Sequence, residues 1–443
     1  MARCYCLWRR VLICVCTPCI CLALLFVYAG VTLFMTMNSL KTAEIIVTES
    51  VPGDVYFVAP GALPNKNFGP VPITFWERHP FKGAIWNILQ LAVDHHFNPI
   101  LHPLKANREA DDDSIYDSIL RQSFTEVNDL DSMRRNFDKL PEELQDFVSH
   151  MQRRDYPTLI QPPGVCGAGA KDEKKAPLLL LAIKTIESNF KDRQAIRHTW
   201  GQVGWVSGLR QRGSRDGGGY IRRVFLLGRE NSEEVVVNFS DMLQMESAHY
   251  GDILQWDFRD TFFNLTLKDV LFWRWFSKFC SQTLFVFMGD DDVFVNTLRI
   301  ITYLEDQLQK PQAHRIIKNF MVGNVSGTGI PSQVSKSKYF IPDSFYKGLY
   351  PMYASGRGVV YSGLLTKRLH SVSKRVHLFP IDDVYVGMCM MRLNAYPIHH
   401  PAFLTFDFSK KETEEQCSYR KNLLVYKCNS NQLVELWAEV NVT

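Results

Sequence analysis

Leu284-Phe-Val-Phe-Met-Gly-Asp290-Asp-Asp292-Val-Phe-Val295 is the stretch on which the reading of this chain turns. Apolar residues run into a glycine, three carboxylates follow, and burial resumes at once. A short apolar run bounded by turn signals has the pattern of a fully buried strand. Three carboxylates wedged between two such segments repel one another and are costly there without a cation. Oxygen-rich sites of this kind suit Mg2+ or Mn2+, which also grip phosphates; the alternative is structural capping. The chain contains its own control. Asp111-Asp-Asp113 is a second triplet, but it lies in the polar stretch Arg108–Ser114 with no strand beside it, and reads as a solvated loop.

Further strand-like runs lie upstream at Leu178–Ile183 and Val224–Leu227, separated by helical segments at Asp192–Trp200, Glu233–Glu246 and Thr266–Phe279. Strands alternating with helices of this length predict an α/β domain with a largely parallel sheet. The glycine-rich Gly213–Gly219 has no helix after it and reads as a surface loop. Pro162 and Pro163 mark a boundary, so the domain is set at 151–443. Residues 38–150 form a stem with partly ordered helices. The helical-looking stretch at Ala84–Ala92, the amphipathic Leu140–Met151, and Trp76, Phe81 and Trp86 predict that part of it packs on the main domain.

Val11–Leu40 contains no charged residue, enough to span a bilayer core that needs roughly 20 apolar residues. Arg3, Arg9 and Arg10 precede it, which predicts a cytoplasmic tail over 1–10, a signal-anchor over 11–37 and translocation of the rest. A cleaved signal peptide is the rival, but its apolar region would be about 7–15 residues. Six of the 11 cysteines crowd into this N-terminal segment, where they read as lipid-facing or, for Cys4 and Cys6, as palmitoylation sites. The 443 residues are 46% hydrophobic and 22% charged, which excludes wholesale disorder. A net charge of +4 spread over that length gives no footprint for a nucleic-acid partner. Sequons at Asn238, Asn264, Asn324 and Asn441 are glycosylation candidates for a translocated body.

Two further segments carry chemistry. Pro380-Ile-Asp382-Asp383-Val-Tyr-Val-Gly387 places an acidic pair at the start of a helix-like run, which reads as an N-cap, a general base, or both. In Tyr350-Pro-Met-Tyr353-Ala-Ser-Gly356-Arg-Gly358, the glycines would let backbone approach a ligand and the tyrosines could stack on a sugar face; the alternative is turn glycines beside core aromatics.

Taken in order, these blocks resemble the β1,3-glycosyltransferases. The resemblance is carried by Phe190-Lys-Asp-Arg193-Gln-Ala-Ile-Arg197-His-Thr-Trp200-Gly201, Phe225–Gly228, Asp252–Lys268, the Asp290–Asp292 triplet, Tyr350–Gly358 and Asp383–Cys389, over roughly residues 160–443. Ile381-Asp-Asp383 is more similar to the N-acetylglucosaminyl branch, and Phe75–Leu101 to the stem of its poly-N-acetyllactosamine-extending members. Met288 stands where relatives often have Lys, and Ser355 and Arg357 interrupt a glycine run.

The resemblance implies a GT-A type, Rossmann-like nucleotide-sugar fold behind a single-pass type II anchor in the Golgi membrane. It implies inverting transfer of N-acetylglucosamine from UDP-GlcNAc to the 3-hydroxyl of a terminal β-galactose on a glycan acceptor. Asp383 would be the general base with Asp382 in support. Asp292 and His400 would hold Mn2+ or Mg2+, with His399 as the rival histidine. Asp290, Asp291, Arg193, Arg197 and Lys268 would line the donor pocket, and Tyr350, Tyr353, Gly356 and Gly358 the acceptor. The five body cysteines allow two bridges, for which Cys166–Cys280 and Cys389–Cys417 are the candidates with Cys428 left over, and a homodimer or heterodimer with other glycosyltransferases is left open. A β1,3-galactosyltransferase of the same fold and a non-catalytic Golgi partner of an active enzyme stay as alternatives.

Overall fold

A computed structural model describes residues 84–96, 135, 137–163, 166, 176–207, 218–230, 239–327, 329–405, 421–426 and 429–441, and the short paired strands β1 (Phe57–Val58) and β2 (Pro70–Val71). The chain divides into two units, Met1–Val55 and Tyr56–Thr443. The first, with the expected tail and anchor, lies outside the described residues, as does Asp111–Asp113. Among the described residues no helix is long and apolar enough to cross a membrane.

Two helices come first, α1 (Ile85–His96) and α2 (Glu142–His150), then β3 (Thr158–Ile160) and β4 (Leu179–Lys184). Next are α3 (Phe190–His198), β5 (Gly204–Ser207), β6 (Gly218–Arg229), α4 (Ser240–Tyr250), β7 (Ile253–Arg259) and α5 (Leu265–Phe279). The acidic turn joins β8 (Phe285–Asp290) to β9 (Val293–Val295), followed by α6 (Thr297–Gln309) and α7 (Ala313–Lys318). Then come β10 (Met321–Ser326), β11 (Tyr353–Ser362), α8 (Gly363–Ser373) and α9 (Asp382–Arg392). Short strands β12 (Ile398–His399), β13 (Phe403–Leu404) and β14 (Leu424–Tyr426) precede α10 (Ser430–Asn441).

All six residues of β4 are buried, and it pairs in parallel with β6 on one side and β8 on the other. β7 continues in parallel from β6. The expected parallel sheet therefore holds at the centre. At the flanks it does not: β11 runs antiparallel to β8, β10 to β11, β3 to β7 and β5 to β6. The glycine run is also corrected in part, because Gly218 and Gly219 open β6 and pair with β5.

Alternation along β4 sends side chains to two cores. Leu180 and Ala182 face a layer containing α1, α2, α5, α8 and α9. Leu179, Leu181 and Ile183 face another containing α3, α6, α10, β9 and β14. Helix ends follow their sequence signals. Ser362 caps α8 by accepting from the Leu365 N–H at 3.1 Å, and Gly251, at φ 64°, ends α4 in the left-handed region that favours glycine.

The helical part of the stem lies within the first core. Trp86 is fully buried and its indole N–H donates to the Leu378 carbonyl at 3.1 Å. Gln90 accepts from the His377 N–H at 2.8 Å, and Asp94 pairs with Arg392 of α9 at 2.5 Å. Helix α1 thus grips both ends of the segment that carries the acidic pair. A Cys166–Cys280 disulfide ties the domain's entry to the end of α5, as expected from the cysteine positions, and such bridges contribute typically about 2–4 kcal/mol. The second candidate bridge is corrected. Cys389 is a free thiol, fully buried in α9, with burial pushing it up to about 12; Cys417 lies outside the described residues.

Candidate active site

The triplet sits where β8 leaves the sheet, at the carboxyl end of a central parallel strand, where open α/β sheets bind ligands. Gly289 is required there: a Cβ would lie 2.7 Å from both the Arg357 carbonyl oxygen and the Phe287 ring. The three carboxylates then part. Asp290 lies opposite Lys184 in the sheet register, and burial pushes it up to about 8. Asp291 is buried and held through Oδ2, which accepts from Thr185 Oγ1 at 2.5 Å and Asn189 Nδ2 at 2.9 Å. Asp292 has a buried Oδ1 with no partner, and burial together with Asp291 pushes its carboxyl up to about 6.

The second acidic pair opens α9, where negative charge suits the helix N-terminus. Asp382 turns inward and accepts from Lys184 Nζ at 2.6 Å; the same ammonium lies 3.0 Å from Asp269 on α5. Burial alone would lower Lys184, but Asp269, Asp382 and Asp290 more than offset it and raise the proton affinity of the ammonium. Asp383 turns outward. Its Oδ1 accepts from the Val384 N–H at 2.7 Å and its Oδ2 lies 3.5 Å from the Gly356 N–H. Burial, reinforced by Asp382, pushes Asp383 up to about 7, into the range that suits a general base near neutrality.

Asp383 lines a cleft of about 540 Å3 together with Asn324, Tyr339, Tyr350, Tyr353 and Arg357. The Tyr350 ring packs on Tyr346 and Phe379, and its buried hydroxyl has no partner. Tyr353 is half-buried beside it, with ring centroids 6.4 Å apart. Gly356 lies against the acidic pair, where a Cβ would be 3.2 Å from Asp382 Oδ2. Gly358 is corrected: it is buried, and a Cβ would collide with Leu424 in the core, so it serves packing and not an acceptor.

The three cations expected at the donor act on the site indirectly. Arg193 holds Glu246 with two nitrogens at 2.9 and 2.7 Å and donates to the carbonyls of Ile186 and Glu187. Arg197 is forked onto Asp252 at 2.9 and 2.7 Å and reaches Glu246 at 2.6 Å. Lys268 pairs with Asp260 at 2.9 Å and donates to the Thr185 carbonyl at 2.6 Å. All are buried with these donors committed inside the fold. Arg193 and Lys268 clamp the Thr185–Asn189 loop, and that loop holds Asp291.

Among the described residues no three His, Cys, Asp or Glu side chains are gathered as a metal cage. The orphaned oxygen of Asp292 nevertheless fits a cation that takes one carboxylate and completes its shell with substrate phosphates. His400 does not fit as it stands. Its Nδ1 accepts from the Ala402 N–H at 3.2 Å, which leaves the ring proton on Nε2 and no free lone pair; Nδ1 of His399 likewise accepts from Val325. Among the sequons, Asn324 is only 8% exposed and donates to Thr405 Oγ1 at 2.7 Å inside the cleft, so it is a cleft residue and not a glycan acceptor. Asn264 starts α5 and donates to the Arg259 carbonyl, Asn441 ends α10, and Asn238 lies outside the described residues.

Sequence reasoning missed Lys184, Asp269, Thr405 and the cleft position of Asn324. Lys184 did leave a signal: a lone charge at the carboxyl end of an otherwise apolar strand.

Residues 191–401 match the galactosyltransferase family. The chain is 40% identical over 367 residues to the N-acetyllactosaminide β1,3-N-acetylglucosaminyltransferase 2 of Homo sapiens, covering 83% of this chain and 86% of that one. The UDP-GlcNAc:βGal β1,3-N-acetylglucosaminyltransferase 7 of Rattus norvegicus is 36% identical over 306 residues, 68% and 72% of the two chains. Enzyme 9 of the same name from Bos taurus is 38% identical over 315 residues, 66% and 73%. The chain belongs to the β1,3-N-acetylglucosaminyltransferase family. The mixed α/β sheet is thus a glycosyltransferase fold, and the family match over 191–401 contains both the triplet and the acidic pair.

Proposed function

We propose that this chain transfers N-acetylglucosamine from UDP-GlcNAc to the 3-hydroxyl of a terminal β-galactose, with inversion, on a GT-A type fold. The observation that carries the reading is Asp383: a carboxylate held near neutrality, facing a cleft walled by Tyr350 and Tyr353. The acceptor oxygen bonds to the anomeric carbon as the bond from that carbon to the β-phosphate oxygen breaks. Asp383 Oδ2 takes the hydroxyl proton, help worth typically ~10²–10⁴-fold, and the bonding pair leaves with uridine diphosphate. Lys184 holds Asp382 inward, and Thr185 and Asn189 of the Thr185–Asn189 loop hold Asp291. Asp292 would hold a Mn2+ or Mg2+ ion, which would neutralise charge on the diphosphate when bound.

The charge-free Val11–Leu40 and the arginines before it support a type II anchor with the catalytic unit in the Golgi lumen. The family description names galactose and the relatives' names N-acetylglucosamine, so donor identity is the point to test. The full-length chain, given Mn2+ and a lactose-type acceptor, should consume UDP-GlcNAc. Preferential consumption of UDP-galactose would favour the galactosyl alternative, and no turnover with any donor would favour the non-catalytic partner.

A further inference from the structure

One cation in the cleft is left unassigned by that mechanism. Arg357 stands on β11 immediately before Gly358, which pairs with Gly289, and its own carbonyl packs against Gly289. Its guanidinium lies 3.3 Å from the centroid of the Tyr426 ring. Tyr426 in turn pairs with Val293 in the small sheet of β9 and β14. Arg357 is therefore tied through its backbone to Gly289 on one side of the Asp290–Asp292 turn and through Tyr426 to Val293 on the other, while its side chain lines the cleft that holds Asp383. Nη1 donates to the Thr405 carbonyl at 2.8 Å, and Thr405 is itself fixed by accepting from Asn324.

A guanidinium has five N–H donors in a rigid fork, and among the described residues Arg357 makes one hydrogen bond and no ion pair. The aromatic face beneath it offers the N–H groups no conventional acceptor, so the remaining donors serve the cleft. The guanidinium charge reaches the acidic turn, where it acts on the Asp292 carboxylate. A nucleotide diphosphate brought to that turn meets carboxylates of its own sign, and a preorganised fork matches phosphate oxygens two at a time.

We propose that Arg357 grips the diphosphate of the nucleotide sugar and meets the charge that grows on the departing nucleoside diphosphate. The proposal rests on the nucleotide-sugar reading above. As the acceptor oxygen bonds to the anomeric carbon and the bond to the β-phosphate oxygen breaks, the electron pair settles on that oxygen. The fork binds it more strongly then than in the ground state, so the arginine acts on kcat as well as on donor affinity.

The test titrates UDP and uridine, with Mn2+, against the full-length chain and its Arg357→Gln and Arg357→Lys forms, and measures steady-state kinetics on each. Arg357→Gln should weaken UDP roughly ten- to a hundredfold, leave uridine unchanged, and lower kcat with the acceptor KM unaltered. Arg357→Lys keeps the charge without the fork and should recover part of both. If the glutamine form does not fold, UDP binding by the lysine form decides alone: weakening supports the proposal, and parent-like affinity overturns it. Parent-like UDP binding with a raised acceptor KM in Arg357→Gln would move the arginine to the acceptor side and overturn the proposal. Unchanged binding and kinetics would reduce it to packing on Tyr426. An unsubstituted chain that binds no UDP would overturn the nucleotide-sugar reading itself, a failure visible before any variant is made.

Discussion

The turn between β8 and β9 and the first turn of α9 are two acidic sites built to one plan. In each, one carboxylate is tied into the fold and its neighbour keeps unused hydrogen-bonding capacity. At the triplet, Asp291 is held by Thr185 and Asn189 while Asp292 keeps an unpartnered oxygen. At the helix, Asp382 is held by Lys184 while Asp383 lines the cleft. The anchors differ in kind. Neutral donors hold the first site, where cations act one step back through Arg193 and Lys268; a buried ammonium holds the second directly. The difference teaches where charge is wanted. The first site stays electronegative, as a cation site must, while the second is balanced enough to sit close and still keep one titratable base.

Lys184→Met should break the comparison most severely. It leaves Asp269 and Asp382 buried without their shared cation, and breaking a buried pair costs about 3–5 kcal/mol, readable in denaturant midpoints. Asp292→Asn should be the next largest effect, weakening Mn2+-dependent UDP affinity by roughly ten- to a hundredfold in a titration while leaving the melting temperature near that of the parent. Thr185→Val removes one donor from Asp291 and should cost about 1–3 kcal/mol of stability, with Asn189 still in place. Unaltered stability there would mean that Asp291 is not an anchor.

The smallest effect is pH dependence. Asp383 is pushed up to about 7, so kcat/KM should rise between about pH 6 and 8 as the base loses its proton. The stability sign is opposite. The folded chain binds that proton more tightly than the unfolded one, so its contribution is present at low pH and is lost as pH rises through the folded value. The melting temperature should therefore fall from pH 5 to pH 8, and fall less in Asp383→Asn.

Much of this arrangement is legible in the chain itself. Apolar runs bounded by turn signals located β4, β6 and β8, and the contrast between two acidic triplets picked Asp290–Asp292 for its place after a strand. What pattern could not give is partnership across the sheet. Nothing local in Arg193 or Lys268 says that Glu246 and Asp260 lie within reach, and those buried partners turn apparent ligand-binding cations into supports for a loop. Gly358 reads like a ligand-approach glycine until Leu424, 66 positions away in sequence, is seen beneath it. The antiparallel flanks were missed for the same reason, since the direction of β10 and β11 is set by their neighbours and not by their own composition. Helix α1 shows the reverse: Trp86 and its neighbours read as ordered sequence inside a stem, and they hold the segment that presents Asp383.

The division of labour between the two acidic sites is tested most directly by one paired measurement on Asp383→Asn: turnover of UDP-GlcNAc with a galactose-terminated acceptor, alongside Mn2+-dependent UDP binding. The account predicts that transfer falls by about 10²–10⁴-fold while UDP binds as it does to the parent. Near-normal turnover in Asp383→Asn would contradict it.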